Sequence, residues 1–102
     1  GNATNLFPLS DAQEAQRIVK LAGGEDALAD LIVGAINEKD YQWAAMLCDY
    51  LLVVDPKNKT VMLRKADALT ALAQDKLTTT ARNYYLSSAI ELRKQASALA
   101  SE

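Results

Sequence analysis

Asp40-Tyr41-Gln42-Trp43-Ala44-Ala45-Met46-Leu47-Cys48-Asp49-Tyr50-Leu51-Leu52-Val53-Val54-Asp55-Pro56-Lys57-Asn58 is the stretch on which the fold turns. Between Trp43 and Val54 only Asp49 carries a charge. Asn37-Glu38-Lys39-Asp40 reads as the turn before it, and Pro56 disfavours helical backbone at Asp55. A helix is therefore expected from about Tyr41 to Val54. Ala44, Leu47, Cys48 and Leu51 make one apolar face, and Trp43, Met46, Tyr50 and Val53 make another. A helix that is apolar all round is central in its fold or shared with a partner. Trp43, between two such faces, is expected to be largely buried.

Working outward, the chain reads as helices and short turns. Residues 1–9 are an extended lead in which Phe7-Pro8-Leu9 supplies apolar anchors. Ser10 is an N-cap, with Gln13 placed for a capping box. The first helix runs from about Asp11 to Ala22, with Ala15, Ile18, Leu21 and Ala22 as its apolar face, and Gly23-Gly24 ends it. The second begins at Glu25-Asp26, acids suited to a helix N-terminus. Leu28, Leu31, Ile32, Ala35 and Ile36 recur along it at helical spacing, and Gly34 weakens it while permitting close packing. The fourth starts at Asn58 or Lys59 and reaches about Gln74, with Met62, Ala66, Leu69 and Leu72 inward. Thr78-Thr79-Thr80 is a break and a cap. The fifth runs from there to about Ala100 on a stripe of Ala81, Tyr85, Ala89, Leu92, Ala96 and Leu99. No segment alternates at period two, so no sheet is expected. The expectation is one all-α domain over residues 1–102, a five-helix bundle.

Composition removes several function classes. The chain has 102 residues, 24% of them charged, and a net charge of −2. Its eleven Lys and Arg are scattered, whereas nucleic-acid binding needs them clustered. No apolar run approaches the ~20 residues of a membrane span, and no signal peptide is visible. With no His and a single Cys, zinc sites of the usual kind are not expected. Cys48 lies in an apolar helical stretch with no His to activate it, so it reads as a structural thiol. Gly23-Gly24 lacks the Lys-Ser/Thr of a phosphate loop. No catalytic, cofactor or metal residue is expected. Candidates for core or interface are Trp43, Met46, Tyr50, Tyr85, Leu92 and Leu99.

Lys39-Asp40-Tyr41, then Ala44, then Asp55-Pro56-x-Asn58 follows the second half of a tetratricopeptide unit, giving a tetratricopeptide-like helix pair in the middle of the bundle. A free-standing solenoid needs about three such units. One unit describes how helices pack and does not by itself make a peptide groove.

Four stretches carry a family resemblance. They are Gly1-Asn2-x-x-x-Leu6-x-Pro8-Leu9; Leu21-Ala22-Gly23-Gly24-x-Asp26-Ala27-Leu28; Asp40-Tyr41-x-Trp43-Ala44-Ala45 with Asp55-Pro56-x-Asn58; and Arg82-Asn83-Tyr84-Tyr85-Leu86-x-x-Ala89-x-Glu91-Leu92-Arg93. In this order they resemble the helical dimerisation domain of alkyl sulfatases with a metallo-β-lactamase catalytic fold. Asp49-Tyr50, Ala73 and Ala81 depart from the family's usual Asn-His, Gly and Trp. The resemblance implies a non-catalytic assembly segment of a longer zinc-dependent hydrolase. It implies that the parent's two zinc ions are held by a preceding catalytic domain and that a sterol-carrier-like domain follows. It also implies a soluble protein of the bacterial cytoplasm, the periplasm or the secreted fraction. The chain does not begin with Met and is expected to be a piece of something longer.

Two functions follow for the chain. One is dimerisation of such a sulfatase, with a second copy as partner. The other is a tetratricopeptide-like adaptor that binds a peptide or partner helix. For a dimer, the fifth helix is expected to overhang at its Leu92-to-Leu99 end and expose apolar surface there.

Overall fold

Each helix begins and ends on a local signal. Ser10 Oγ accepts from the Gln13 N–H at 3.2 Å, and Gln13 Oε1 accepts from the Ser10 N–H at 3.1 Å, closing the capping box at the start of α1 (Asp11–Ala22). That helix stops where Gly23 turns left-handed at φ 107°. Gly24 then donates to the Val19 carbonyl at 2.9 Å and Gly23 to Lys20 at 3.1 Å, the paired bonds that satisfy a helix's last carbonyls. The same closure ends α2 (Glu25–Asn37). Asp40 donates to Ala35 at 2.8 Å and Lys39 to Ile36 at 3.0 Å. Here a lysine, Lys39 at φ 63°, takes the left-handed position. The central helix α3 (Tyr41–Val54) follows at once. Asn58 Oδ1 caps α4 (Lys59–Gln74) through the Val61 N–H, and Thr78 Oγ1 caps α5 (Thr79–Ala100) through the Ala81 N–H.

The computed structural model describes residues 2–75 and 78–100, and among them there is no strand. Gly1, at the start of the expected lead, lies outside the described residues. The rest of that lead is not wholly extended. Asn2 caps one 3-10 turn over Ala3–Asn5 by accepting from the Thr4 N–H, because a short polar side chain can close a turn before Pro8 straightens the chain.

Consecutive helices pack as neighbours: α1 on α2 and α3, α2 on α3, α3 on α4, and α4 on α5. Among the described residues the backbone of α5 approaches no helix but α4. The result is a slab of 39 × 39 × 24 Å, about two helices thick. Its radius of gyration is 14.8 Å, above the roughly 13 Å of a globular chain this long.

Two clusters make the core. Val19, Leu28, Ile32, Leu47, Cys48, Leu51 and Val61 fill the first, under α1, α2 and α3. Ala35, Ala44, Ala45, Ala66, Ala68, Leu69 and Ala89 form the second, which joins α3, α4 and α5 with Ala35 of α2 at its border. The Ala44, Leu47, Cys48 and Leu51 face of α3 is buried as expected, and so are Met62, Ala66 and Leu69 of α4, while Leu72 is half-buried. The α5 stripe also faces inward, with Ala89 and Ala96 fully enclosed.

Three expectations about burial are overturned. Leu21 is exposed and Val19 is buried in its place, since the face α1 presents to the core follows Ala15, Ile18, Val19 and Ala22 and leaves Leu21 outside its arc. Leu31 is exposed because α2 turns only its Leu28/Ile32/Ala35 edge to α3. Trp43, expected to be largely buried, is 47% exposed, because the neighbours of α3 cover the opposite face and leave this one at the slab's edge.

Candidate functional site

Among the described residues no three His, Cys, Asp or Glu side chains converge as metal ligands. The described residues thus hold no donor set to match the two zinc ions that the resemblance implies for a preceding domain. Cys48 is enclosed, and burial pushes its thiol up to about 12, with the Asp49 carboxylate adding to the rise. Lys65 and Arg64 pull the other way without reversing it. A thiol held protonated in an apolar core is a packing group and a poor nucleophile.

Surfaces, by contrast, are plentiful. Among the described residues twelve large apolar side chains stand exposed. They fall on distinct faces. On the lead, Leu6, Phe7 and Leu9 are exposed around Pro8. Along α3, Met46 faces a groove shared with α4 and α5, which Gln42, Asp49, Lys65, Tyr84 and Ser88 also line. This groove mixes apolar and charged groups, and within it Lys65 Nζ meets Asp49 Oδ1 at 2.6 Å. Beside it the Tyr84 and Tyr85 rings stand edge to face at 6.3 Å. On the other flank of α3, Val53 and Tyr50 border α1, and the Tyr50 hydroxyl donates to Glu14 Oε1 at 3.5 Å.

A third face lies where α2 meets α3. Leu31, Gly34, Ala35, Glu38 and Trp43 surround a groove of about 320 Å³. Only Glu38 among them is charged. Leu31 is 52% exposed, and a Cβ built on Gly34 would meet nothing within 4 Å.

The six candidate residues thus separate. Trp43 and Met46 are exposed, Tyr50 is half-buried against α1, and Tyr85 and Leu92 pack against the alanine cluster. Leu99 is half-buried. The expected overhang at Leu92 to Leu99 is therefore corrected. The exposed bulk of α5 sits at Tyr84 and Ile90 instead, because α4 runs beneath the stripe that carries Leu92. Residues missed as candidates are Leu31 and Ile90. Gly34, noted in the sequence for close packing, was the one signal that pointed to the α2–α3 face. Across the slab, Arg93 Nη2 ties α5 to α4 by donating to Asp67 Oδ1 at 3.1 Å and Thr70 Oγ1 at 3.2 Å. No helix among the described residues is long and apolar enough to cross a membrane.

Residues 1–95 match the protein family described as alkyl sulfatase dimerisation. The chain is 37% identical over 93 residues to an (R)-specific secondary-alkylsulfatase of Pseudomonas sp., covering 91% of this chain and 14% of that protein. It is 33% identical over 93 residues to an alkyl/aryl-sulfatase of Saccharomyces cerevisiae, again covering 91% of this chain and 14% of the other. The solved structure of a stereoselective inverting sec-alkylsulfatase from Pseudomonas sp. superposes on 93% of this chain and 15% of that one, with TM-score 0.85 and 36% identity. The chain therefore spans about a seventh of the relatives it matches.

Proposed function

Since this chain belongs to the alkyl sulfatase dimerisation family, we propose that it is the assembly segment of an alkyl sulfatase and joins two copies of itself. The match over residues 1–95 carries this reading. The exposed apolar side chains supply its physical basis. A flat slab two helices thick leaves apolar surface that its own helices cannot cover, and two-fold pairing covers like patches with like.

In this reading the segment does no chemistry. Hydrolysis of alkyl sulfate esters, and the two zinc ions that would activate water for it, belong to a metallo-β-lactamase-type domain outside these residues. A chain with no His and a protonated, enclosed Cys48 offers neither the ligands nor the nucleophile for that reaction. Light scattering behind size exclusion tests assembly, and a mass of two chains at ~100 μM is expected, a concentration at which even a dimer with Kd near ~10 μM is mostly formed. A single-chain mass there overturns the reading. Sulfate release from an alkyl sulfate by this chain with added zinc, above the rate with zinc alone, would overturn its non-catalytic part.

A further inference from the structure

The dimer must use some particular face, and the inference here rests on the reading just given. Gly34 is the starting point. Glycine inside a helix is less favourable than alanine because it loses more freedom on folding and packs nothing. The usual reasons for keeping one are missing at Gly34. Its φ is not left-handed, and an added Cβ would meet no atom of this chain within 4 Å. Nothing within the chain asks for the absence of a side chain. The groove that this absence leaves is walled by Leu31 and Trp43, which are 52% and 47% exposed. A bare helix backbone flanked by a projecting indole offers both halves of a self-complementary contact, and such a contact suits a two-fold interface, in which each copy presents the same patch.

The other faces fit a second copy less well. The α3–α4–α5 groove mixes apolar groups such as Met46, Leu69 and Tyr84 with the ion pair of Lys65 and Asp49, whose charges a dry contact would have to bury. The apolar lead at Leu6, Phe7 and Leu9 is a short arm rather than a surface. A standard interface buries about 800 Å² per partner, roughly a ninth of this chain's 6952 Å². Leu31 and Trp43 form the centre of such a contact, which extends from them along α2 and α3 to reach that area. Aromatic anchors at the centre of a charge-poor patch are also where binding energy concentrates.

We propose that the α2–α3 face is the dimer interface, with Trp43 of each copy seated over Gly34 of the other. The partner is a second copy of this chain, and Glu38 lies at the rim, where its charge stays hydrated.

Gly34→Ala separates this from a structural role. Within one chain the new methyl has room and improves the helix, so the melting temperature of dilute, monomeric protein rises. Across the interface the same methyl stands where the partner's indole sits, so the dimer dissociation constant rises several-fold. Gly34→Leu and Trp43→Ala each raise it at least tenfold, while Ile90→Ser on the far side of the slab leaves it unchanged. Analytical ultracentrifugation over a dilution series reads all four. A dimer whose dissociation constant is unmoved by Gly34→Leu and Trp43→Ala overturns this inference and leaves the assembly function standing. A chain that stays monomeric at the highest concentration overturns both. Occupation of the groove by another protein in place of a second copy would show as wild-type monomer and counts against the proposal in the same way.

Discussion

Under α1, α2 and α3 the buried space is filled by Val19, Leu28, Ile32, Leu47 and Leu51, while between α3, α4 and α5 it is filled by five alanines and Leu69, joined by Ala35 of α2. In the first region long side chains interdigitate and the hydrophobic effect is large for each residue buried. In the second each alanine removes little apolar area, and what it supplies is proximity. Two helices that present methyl groups to each other can run close together, and stabilisation is spread over many backbone and Cβ contacts. The seam is therefore sensitive to added volume, whereas the leucine cluster is sensitive to lost volume. The first region is enclosed by α1, α2 and α3 and by Val61 at the start of α4. The second ends in α5, whose backbone, among the described residues, comes near that of α4 only.

The comparison can be broken at several points. The largest effect is expected from Leu28→Ala, which empties a side chain that is 1% exposed and should lower stability by about 2–5 kcal/mol. Urea melts followed by circular dichroism measure it. A loss under ~1 kcal/mol would mean that the leucine cluster is loosely packed and can collapse around the gap.

Ala89→Leu tests the seam in the opposite sense. Ala89 is wholly enclosed between α5 and its neighbours. Adding three carbons there should destabilise by about 1–3 kcal/mol and loosen α5 first. Hydrogen exchange would locate the change, with α5 amides losing protection ahead of those in α2 and α3. Unchanged stability would show that the seam has spare room and that closeness is not its principle.

Lys39→Gly sharpens the role of the closures on the leucine side. Two helices end in the same pattern, one with Gly23 and one with Lys39 in left-handed backbone. Relief of the side-chain clash at Lys39 is worth about 1–2 kcal/mol, and the extra freedom of glycine in the unfolded chain returns about half of it. A net gain of about 0.5 kcal/mol is expected, visible as a small rise in melting temperature.

The smallest effect is expected from Arg93→Ala on the seam side. Its bonds to Asp67 and Thr70 join α5 to α4, yet the Arg93 and Asp67 side chains are 43% and 60% exposed. Exposed pairs contribute about 0.2–1 kcal/mol and are screened by salt. A loss near the lower end, shrinking as salt is added, is the expected outcome of melts at two ionic strengths. A loss that survives high salt would mean that the stem of Arg93 packs the seam and that its charge is incidental.

The sequence by itself determined where each helix starts and stops, because those signals act over three or four residues. Ser10 with Gln13, Gly23, Pro56, Asn58 and Thr78 are all local, and the structure uses each as its chemistry suggests. The inward stripe of α5 was legible for a related reason, since one neighbouring helix reads one narrow face. Only the tertiary structure decided which residues of the wider apolar faces are covered. Leu21, Leu31 and Trp43 fit helical periodicity and still point outward. Periodicity marks an arc of a helix, but burial depends on which helix lies across that arc. On α3, apolar all round, local spacing could not rank one face above another, and the arrangement of α1, α2 and α4 did so by leaving Trp43 beside Gly34 at the surface.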